Sequence, residues 1–286
     1  MRVTAKSRYS RLLSDFIHWS SESNEKQFDS DTWCPTKDHM ITKAIGTAPA
    51  HAGSERPQFF ARAALVMAAI VVLSFPLTYY LPVATGSGKF DTLHHLHALA
   101  FFAWFGLYVW QTQLVARGQV VRHREIGLGG FALTGLIIPL GFWMAQRAAQ
   151  QRLGNMVHPY ETTWYNLIDM TLFTVLMVAA IVLVTRYKEW HRRFVFVAAL
   201  CLVAPAATRW TLGIPGLNPF QLDIVAYVVM YPFLIALARF DWRELGKLHP
   251  ATLTSIALVL PFQISSAWIA RSTWWNAIAP GLVGPP

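Results

Sequence analysis

The chain has 286 residues, of which 54% are hydrophobic and 14% are charged. A soluble domain has about a quarter charged residues, so the composition excludes an ordinary soluble protein. The formal net charge of +9 does not indicate nucleic-acid binding, because the basic residues lie in short loops between long apolar blocks and form no basic stripe. The pattern is typical of a polytopic membrane protein whose predicted partner is the lipid bilayer. The sequence pattern identifies no protein partner.

Residues 1–57 differ from the rest of the chain. The first 39 residues contain 12 of the 39 charged residues and have no apolar region of the kind that a secretory signal carries. We expect residues 1–57 to be a polar, disordered tail. Met40 is a candidate for the true start of translation, since the characteristic apolar blocks all follow it.

Seven apolar blocks follow within residues 58–275. Each has about 20 residues, which is enough to cross a hydrocarbon core about 30 Å thick. The fifth block is short and contains Pro205, so it is the weakest candidate for a span. The sequence therefore predicts an all-α bundle of seven transmembrane helices, with a short C-terminal tail over residues 276–286. The blocks lie at roughly 60–81, 92–115, 125–146, 163–185, 191–209, 219–239 and 250–270.

The charges of the connecting loops predict the orientation of these spans. The connections after the second, fourth and sixth blocks carry ten basic residues, whereas the alternate set carries five. Because basic loops stay in the cytoplasm, the predicted orientation is N-inside and C-outside.

Histidines fall at two depths in this predicted bundle. His123, His191 and His249 open spans three, five and seven at the cytoplasmic face, and His97 opens span two at the outer face. Imidazoles at one depth are candidate ligands for a divalent metal or, in pairs, for haem b. The alternative is an interfacial role beside arginines that bind lipid phosphates. No HxxxH or HExxH spacing supports the metal site.

Ionisable residues within the apolar blocks predict a second site. Asp169 lies in span four, Arg209 at the end of span five and Asp223 near the start of span six, while His97 and Gln111 share a face of span two. An acidic side chain inside an apolar span is costly alone and is usually paired with a cation or part of a proton relay. We therefore predict an intramembrane polar cluster of these five residues. The alternative is an ion-pair network that only fixes the order of the helices.

The order of these motifs resembles a widespread family of uncharacterised bacterial multi-pass membrane proteins. The resemblance implies a multi-pass protein of the bacterial inner (cytoplasmic) membrane, and it brings no assigned activity. It covers roughly residues 76–275 and rests on His97, Trp104 and Gln111 at seven-residue steps, the His123-Arg124-Glu125-Ile126-Gly127 run, Asp169, His191-Arg192-Arg193, Asp223 and His249-Pro250.

A more distant similarity is to b-type cytochrome helical bundles, and it rests on the H-R-x-x-G step that begins at His123. Those bundles hold haem between paired histidines on facing helices near each membrane face. This sequence departs from that pattern, because its outer histidines lie mainly on span two.

Three functions follow as hypotheses. The first, which we favour at this point, is a redox protein that binds haem b or a metal through the histidines at the two depths. The second is a small proton-coupled transporter that uses the intramembrane Asp, Arg and His cluster. The third is a metal-dependent lipid hydrolase like the seven-span ceramidases, which requires His123, His191 and His249 to converge. A non-catalytic accessory subunit is a further alternative that no residue pattern distinguishes.

Overall fold

The computed structural model describes residues 55–152, 160–211 and 227–283 of the chain, and all regular elements within these ranges are helical. The predicted N-terminal tail and Asp223 lie outside the described residues, apart from the last three positions of the tail. In chain order the elements are α1 (Glu55–Leu73), a π-helical turn (Pro76–Tyr80), α2 (Leu81–Ala84), α3 (Thr92–Ala116), α4 (Val120–Arg152), α5 (Glu161–Leu183), α6 (Lys188–Thr211), α7 (Tyr231–Leu245), α8 (Pro250–Ile269) and α9 (Thr273–Val283).

Six helical segments in the described ranges are long and apolar enough to cross a membrane, and they match the first five predicted blocks and the seventh. The prediction of an all-α, multi-pass membrane protein is confirmed at this level. The sixth predicted block, 219–239, lies partly outside the described residues, and its described part enters α7, which has 15 residues. The six segments are Pro57–Ala84, Thr92–Ala116, Val120–Gln151, Glu161–Leu183, Lys188–Trp210 and Pro250–Ile269.

Helix α6 is the central helix of the bundle. It packs against α1, α5 and α8, and 72% of its most apolar stretch is buried, against 17% to 44% in the other five segments. The sequence pattern made this the weakest span, yet α6 runs for 24 residues through Pro205. Helix α6 can occupy this central position because it is rich in small residues, which allow the neighbouring helices to pack closely against it. These include Ala198, Ala199, Ala204, Ala206 and Ala207, each at most 1% exposed.

The helices alternate in direction, which gives the bundle a proximal end, where α1 begins, and a distal end, where α1 finishes. At the proximal end, Gln58 Nε2 donates to the carbonyl of Ala116 at 3.4 Å and joins the start of α1 to the end of α3. At the distal end, Trp210 Nε1 at the end of α6 donates to the carbonyl of Leu73 at 3.2 Å. That carbonyl lies where Pro76 interrupts the helical hydrogen bonds of α1, so the indole satisfies an acceptor at the break.

The C-terminal region forms a helix where the sequence suggested a short tail. Helix α9 packs on the distal ends of α4 and α5. Trp275 Nε1 donates to the carbonyl of Tyr160 at 2.8 Å, and Gln150 Nε2 donates to the carbonyl of Val283 at 3.2 Å. These bonds fix α9 across the distal end of the bundle.

A fully buried ion pair joins three helices at the proximal end. Arg193 on α6 and Asp241 on α7 are both 0% exposed. Nε and Nη2 of Arg193 donate to Asp241 Oδ1 at 3.0 and 2.5 Å. At the start of α8, the backbone N–H of His249 and the hydroxyl of Thr252 donate to Asp241 Oδ2 at 3.1 and 2.5 Å. Arg193 Nη1 donates to Glu189 Oε2 at 2.6 Å.

This arrangement keeps the Asp241 carboxylate charged. Burial raises the pKa of this carboxyl, but hydrogen bonds from Arg193, Thr252 and the His249 backbone, together with the charge of Arg193, outweigh the burial and lower the pKa below its usual value. The two oxygens and the guanidinium are therefore each paired, and the ion pair holds α6, α7 and α8 together.

Removing the arginine tests how much this ion pair contributes to the stability of the protein. Arg193→Met leaves the Asp241 carboxylate buried without its partner, so we expect the protein to lose about 3–5 kcal/mol of stability. The double variant R193M/D241L removes both charges and should be more stable than R193M alone. Thermal melting of the detergent-solubilised protein, followed by size-exclusion chromatography, measures the difference.

The control for this comparison is Arg186→Met, which removes an exposed arginine from the connection between α5 and α6 and should melt close to the wild type. Equal destabilisation by R193M and by the double variant would show that the ion pair does not hold these helices.

Candidate functional site

The three inner histidines all lie at the proximal end but have different surroundings. The ring N–H at Nδ1 of His191 donates to the carbonyl of Ala180 on α5 at 3.0 Å. His249 caps α8, because its Nδ1 accepts a hydrogen bond from the backbone N–H of Ala251 at 3.1 Å. Burial, with the charge of Arg193 as a second cause, lowers the pKa of His249. This imidazole is therefore neutral at physiological pH, and its Nδ1 lone pair is already used as the acceptor of the Ala251 hydrogen bond.

The structure brings two of these histidines together. His123 at the start of α4 interacts electrostatically with His191. Within the described ranges, however, no group of three or more His, Cys, Asp or Glu side chains is placed to hold a metal ion. The convergence of His123, His191 and His249 that a lipid hydrolase would need is not found there.

Gln111 lies near His123 and not with His97. His97 and Gln111 share a face of α3, but the 14 residues between them correspond to about 21 Å along the helix axis. The ring of His123 forms a hydrogen bond with the backbone of Gln111. Both polar atoms of the Gln111 side chain are buried and have no hydrogen-bond partner in the described part of the chain.

His97 and Arg209 lie close to each other at the distal end. The Arg209 guanidinium is 4.1 Å from the ring centre of Phe75, and its Nη1 donates to the carbonyl of Pro205 at 2.5 Å. His97 stacks on Phe101 with 6.1 Å between the ring centres and interacts electrostatically with Arg209. The two residues therefore lie at the same end of the bundle, and a shared function for them stays a prediction.

Asp169 is in a separate buried cluster in the middle of the bundle. Its side chain on α5 is 4% exposed, and it faces Cys201 on α6, which is fully buried, and Tyr227, which is 4% exposed. The hydroxyl of Tyr227 donates to Asp169 Oδ1 at 3.5 Å, a long hydrogen bond. Among the described residues, no cation is within ion-pair distance of this carboxyl.

A second layer of hydrogen bonds orients the Asp169 cluster. The hydroxyl of Tyr227 also interacts with the hydroxyl of Ser266 on α8. Ser266 in turn accepts a hydrogen bond from Trp164 Nε1 at 2.9 Å and donates to the carbonyl of Phe262 at 2.6 Å. The cluster therefore links α5, α6 and α8 around one carboxyl group.

The chemistry of this cluster follows from its burial. An ionised carboxylate here would be shielded from solvent and would have no cation among the described residues to stabilise it, and such uncompensated charges are costly in an apolar interior. The carboxyl is stable when it carries a proton. Loss of that proton would require water, a cation or a rearrangement of the helices.

The sequence pattern did not point to Asp241 or Tyr108. Asp241 stands between Arg239 and Arg243 after the sixth block, where it looked like one charge of a basic loop. Tyr108 has a hydroxyl that is buried without a partner, and its position three residues before Gln111 on α3 is the sequence signal that could have identified it.

The chain was compared with known protein families, curated proteins and solved structures, and none of them matches it.

The Asp169→Asn variant tests whether the buried carboxyl is neutral. An amide has the shape of the protonated carboxyl and cannot ionise, so we expect the variant to fold and to melt at or above the wild-type temperature at neutral pH. The control is Glu125→Gln, which makes the same chemical change on the exposed surface of α4. A large fall in melting temperature for D169N alone would show that the carboxyl is charged and paired.

Proposed function

We propose that this protein is a proton-coupled membrane transporter in which Asp169 binds and releases the coupling proton. The observation that supports this is the carboxyl group of Asp169, which is buried in the core of the bundle and has no cation within ion-pair distance among the described residues. Intramembrane carboxyl groups of this kind are characteristic of proton relays in pumps and transporters.

Proton binding is coupled to the conformation of the bundle through the free energy of burying the ionised Asp169 carboxylate. When Asp169 is protonated, the closed packing around Tyr227 and Cys201 is favourable. When it loses the proton, the buried charge costs several kcal/mol, which is enough to shift a bundle between two arrangements. One arrangement would expose the carboxyl to one side of the membrane, and the other would expose it to the opposite side.

The proposal includes the predicted topology and location. We propose seven spans with the N terminus inside, which places the proximal end in the cytoplasm, and the bacterial inner membrane as the site of the protein. The excess of basic residues in the connections at the proximal end supports this orientation.

The test requires no knowledge of the transported substrate. The full chain is reconstituted in liposomes adsorbed on a solid-supported membrane, and a pH jump is applied. We expect a transient current in the wild type as protons bind, and no such current in D169N. Glu244→Gln, the same chemical change near the end of α7, should retain the current. A current of wild-type size in D169N would contradict the role of Asp169.

A second candidate function is electron transfer through a bound haem b or divalent metal. The specific observation is the pair of neighbouring imidazoles, His123 and His191. The N–H of His191 that donates to the Ala180 carbonyl leaves its Nε2 with a lone pair, which is how metal-binding histidines are commonly held. Two such ligands suit a haem, whereas a metal ion would need further ligands.

A visible spectrum and metal analysis of protein purified after growth with haem precursors test this candidate. If it is correct, we expect a Soret band in the wild type that is lost in His191→Ala and kept in His95→Ala, which removes an exposed histidine at the distal end. Absence of both the band and bound metal in the wild type would exclude this function.

A further inference from the structure

Four buried polar atoms in the proximal half of the bundle have no hydrogen-bond partner among the residues that the structure describes. They are Tyr108 Oη, Gln111 Oε1, Gln111 Nε2 and His123 Nδ1. Tyr108, which is 6% exposed, and Gln111 lie on one face of α3, three residues apart. His123 joins them, because its ring hydrogen-bonds the backbone of Gln111. Since each unpaired buried polar atom carries a desolvation cost, the grouping of four indicates a ligand that pairs with them.

The chemistry of these atoms fits water. A phenol, an amide and an imidazole together offer hydrogen-bond donors and acceptors to a small neutral molecule, and water commonly makes two to four bonds of this kind in buried polar sites. A cleft of about 410 Å³, lined by residues 118–122 and Glu125, lies at the proximal surface. Its lining includes Arg122, the residue directly before His123 in the chain, so this depression lies at the proximal surface beside the start of α4.

An aromatic pair separates this row of polar groups from the Asp169 cluster. The Trp104 ring stacks on Tyr108 with 5.5 Å between the ring centres and meets Phe173 edge-on at 5.4 Å. Phe173 is one turn of α5 from Asp169. The indole N–H of Trp104 is already bonded to Thr134 Oγ1 at 3.1 Å, so this pair presents an apolar barrier.

We infer that Tyr108, Gln111 and His123 line a hydrated branch of the proton path, which runs from the proximal surface to the Trp104–Phe173 pair. Water molecules in this branch pass protons along their hydrogen bonds, and movement of the aromatic pair connects the branch to Asp169. The inference rests on the proposed transport function, and it adds the route by which protons reach one side of the site.

The presence of water is tested independently of transport by X-ray hydroxyl-radical footprinting of the full chain in nanodiscs. Bound water is converted to radicals that oxidise the adjacent side chain, so we expect Tyr108 to be labelled faster than Tyr227, an equally buried tyrosine whose hydroxyl is bonded. Gln111→Leu, which removes two of the partner atoms, should slow the labelling of Tyr108. Labelling of Tyr108 no faster than that of Tyr227 overturns the inference.

The role in proton transfer is tested by the pH-jump current. Gln111→Leu should slow the current several-fold and leave the total charge moved unchanged, because Asp169 is intact. The matched control is Gln113→Leu, the same change two residues along α3, at a side chain already bonded to the Ala61 carbonyl; its current should be unaffected. A wild-type current rate in Q111L overturns the branch and leaves the proposed function standing. No current in the wild type overturns the proposed function and the branch with it, even if Tyr108 is labelled.

Discussion

The structure depends on how charges are stabilised around the enclosed helix α6. In an environment without water, a charged group is stable only when its partners are within the protein. Arg193 and Asp241 satisfy this condition fully, since each carboxylate oxygen and the guanidinium is paired. Farther along α6 lie small apolar side chains, followed by Cys201. Cys201 faces the carboxyl of Asp169, which has no cation within ion-pair distance in the described ranges.

The contrast between the two buried aspartates suggests a division of roles. Asp241 is a fixed charge that joins α6, α7 and α8, and its loss would lower the stability of the folded protein. Asp169 has one long hydrogen bond from Tyr227 and no nearby cation in the described ranges, so no ion pair there fixes its charge. In the proposed function, the paired proximal end stays in place while a change of charge at Asp169 moves another part of the bundle.

Much of the fold could be predicted because hydrophobic length is a direct consequence of bilayer thickness. The blocks that became α1, α3, α4, α5, α6 and α8 were visible in the sequence. The central position of α6 was not, because a short block that contains Pro205 gives no local sign of how many other helices will enclose it. The break at Pro76 was marked by the proline, but the capping of Leu73 by Trp210 joins residues that are far apart in the chain.

The candidate site was predicted in parts. Depth arguments predicted one level for His97 and Arg209 and another for the inner histidines, because helices of alternating direction bring such residues to the same end of a bundle; their shared function stays a prediction. Helical periodicity placed Gln111 on the face of His97, but the rise of about 1.5 Å per residue over the 14 residues between them separates the two side chains along the axis. The pairing of Arg193 with Asp241 depended on how α6 and α7 pack, which a single sequence does not encode in any local pattern.

The central claim is that the buried carboxyl of Asp169 changes its protonation state within the folded protein. Infrared difference spectroscopy of the protein in bilayers, recorded as the pH is raised and lowered, measures this directly. We expect the C=O band of a protonated carboxyl to appear and disappear with pH, to shift in D2O and to be absent in Asp169→Asn. A carboxyl band that is unchanged by pH, or identical in the wild type and D169N, would contradict the claim.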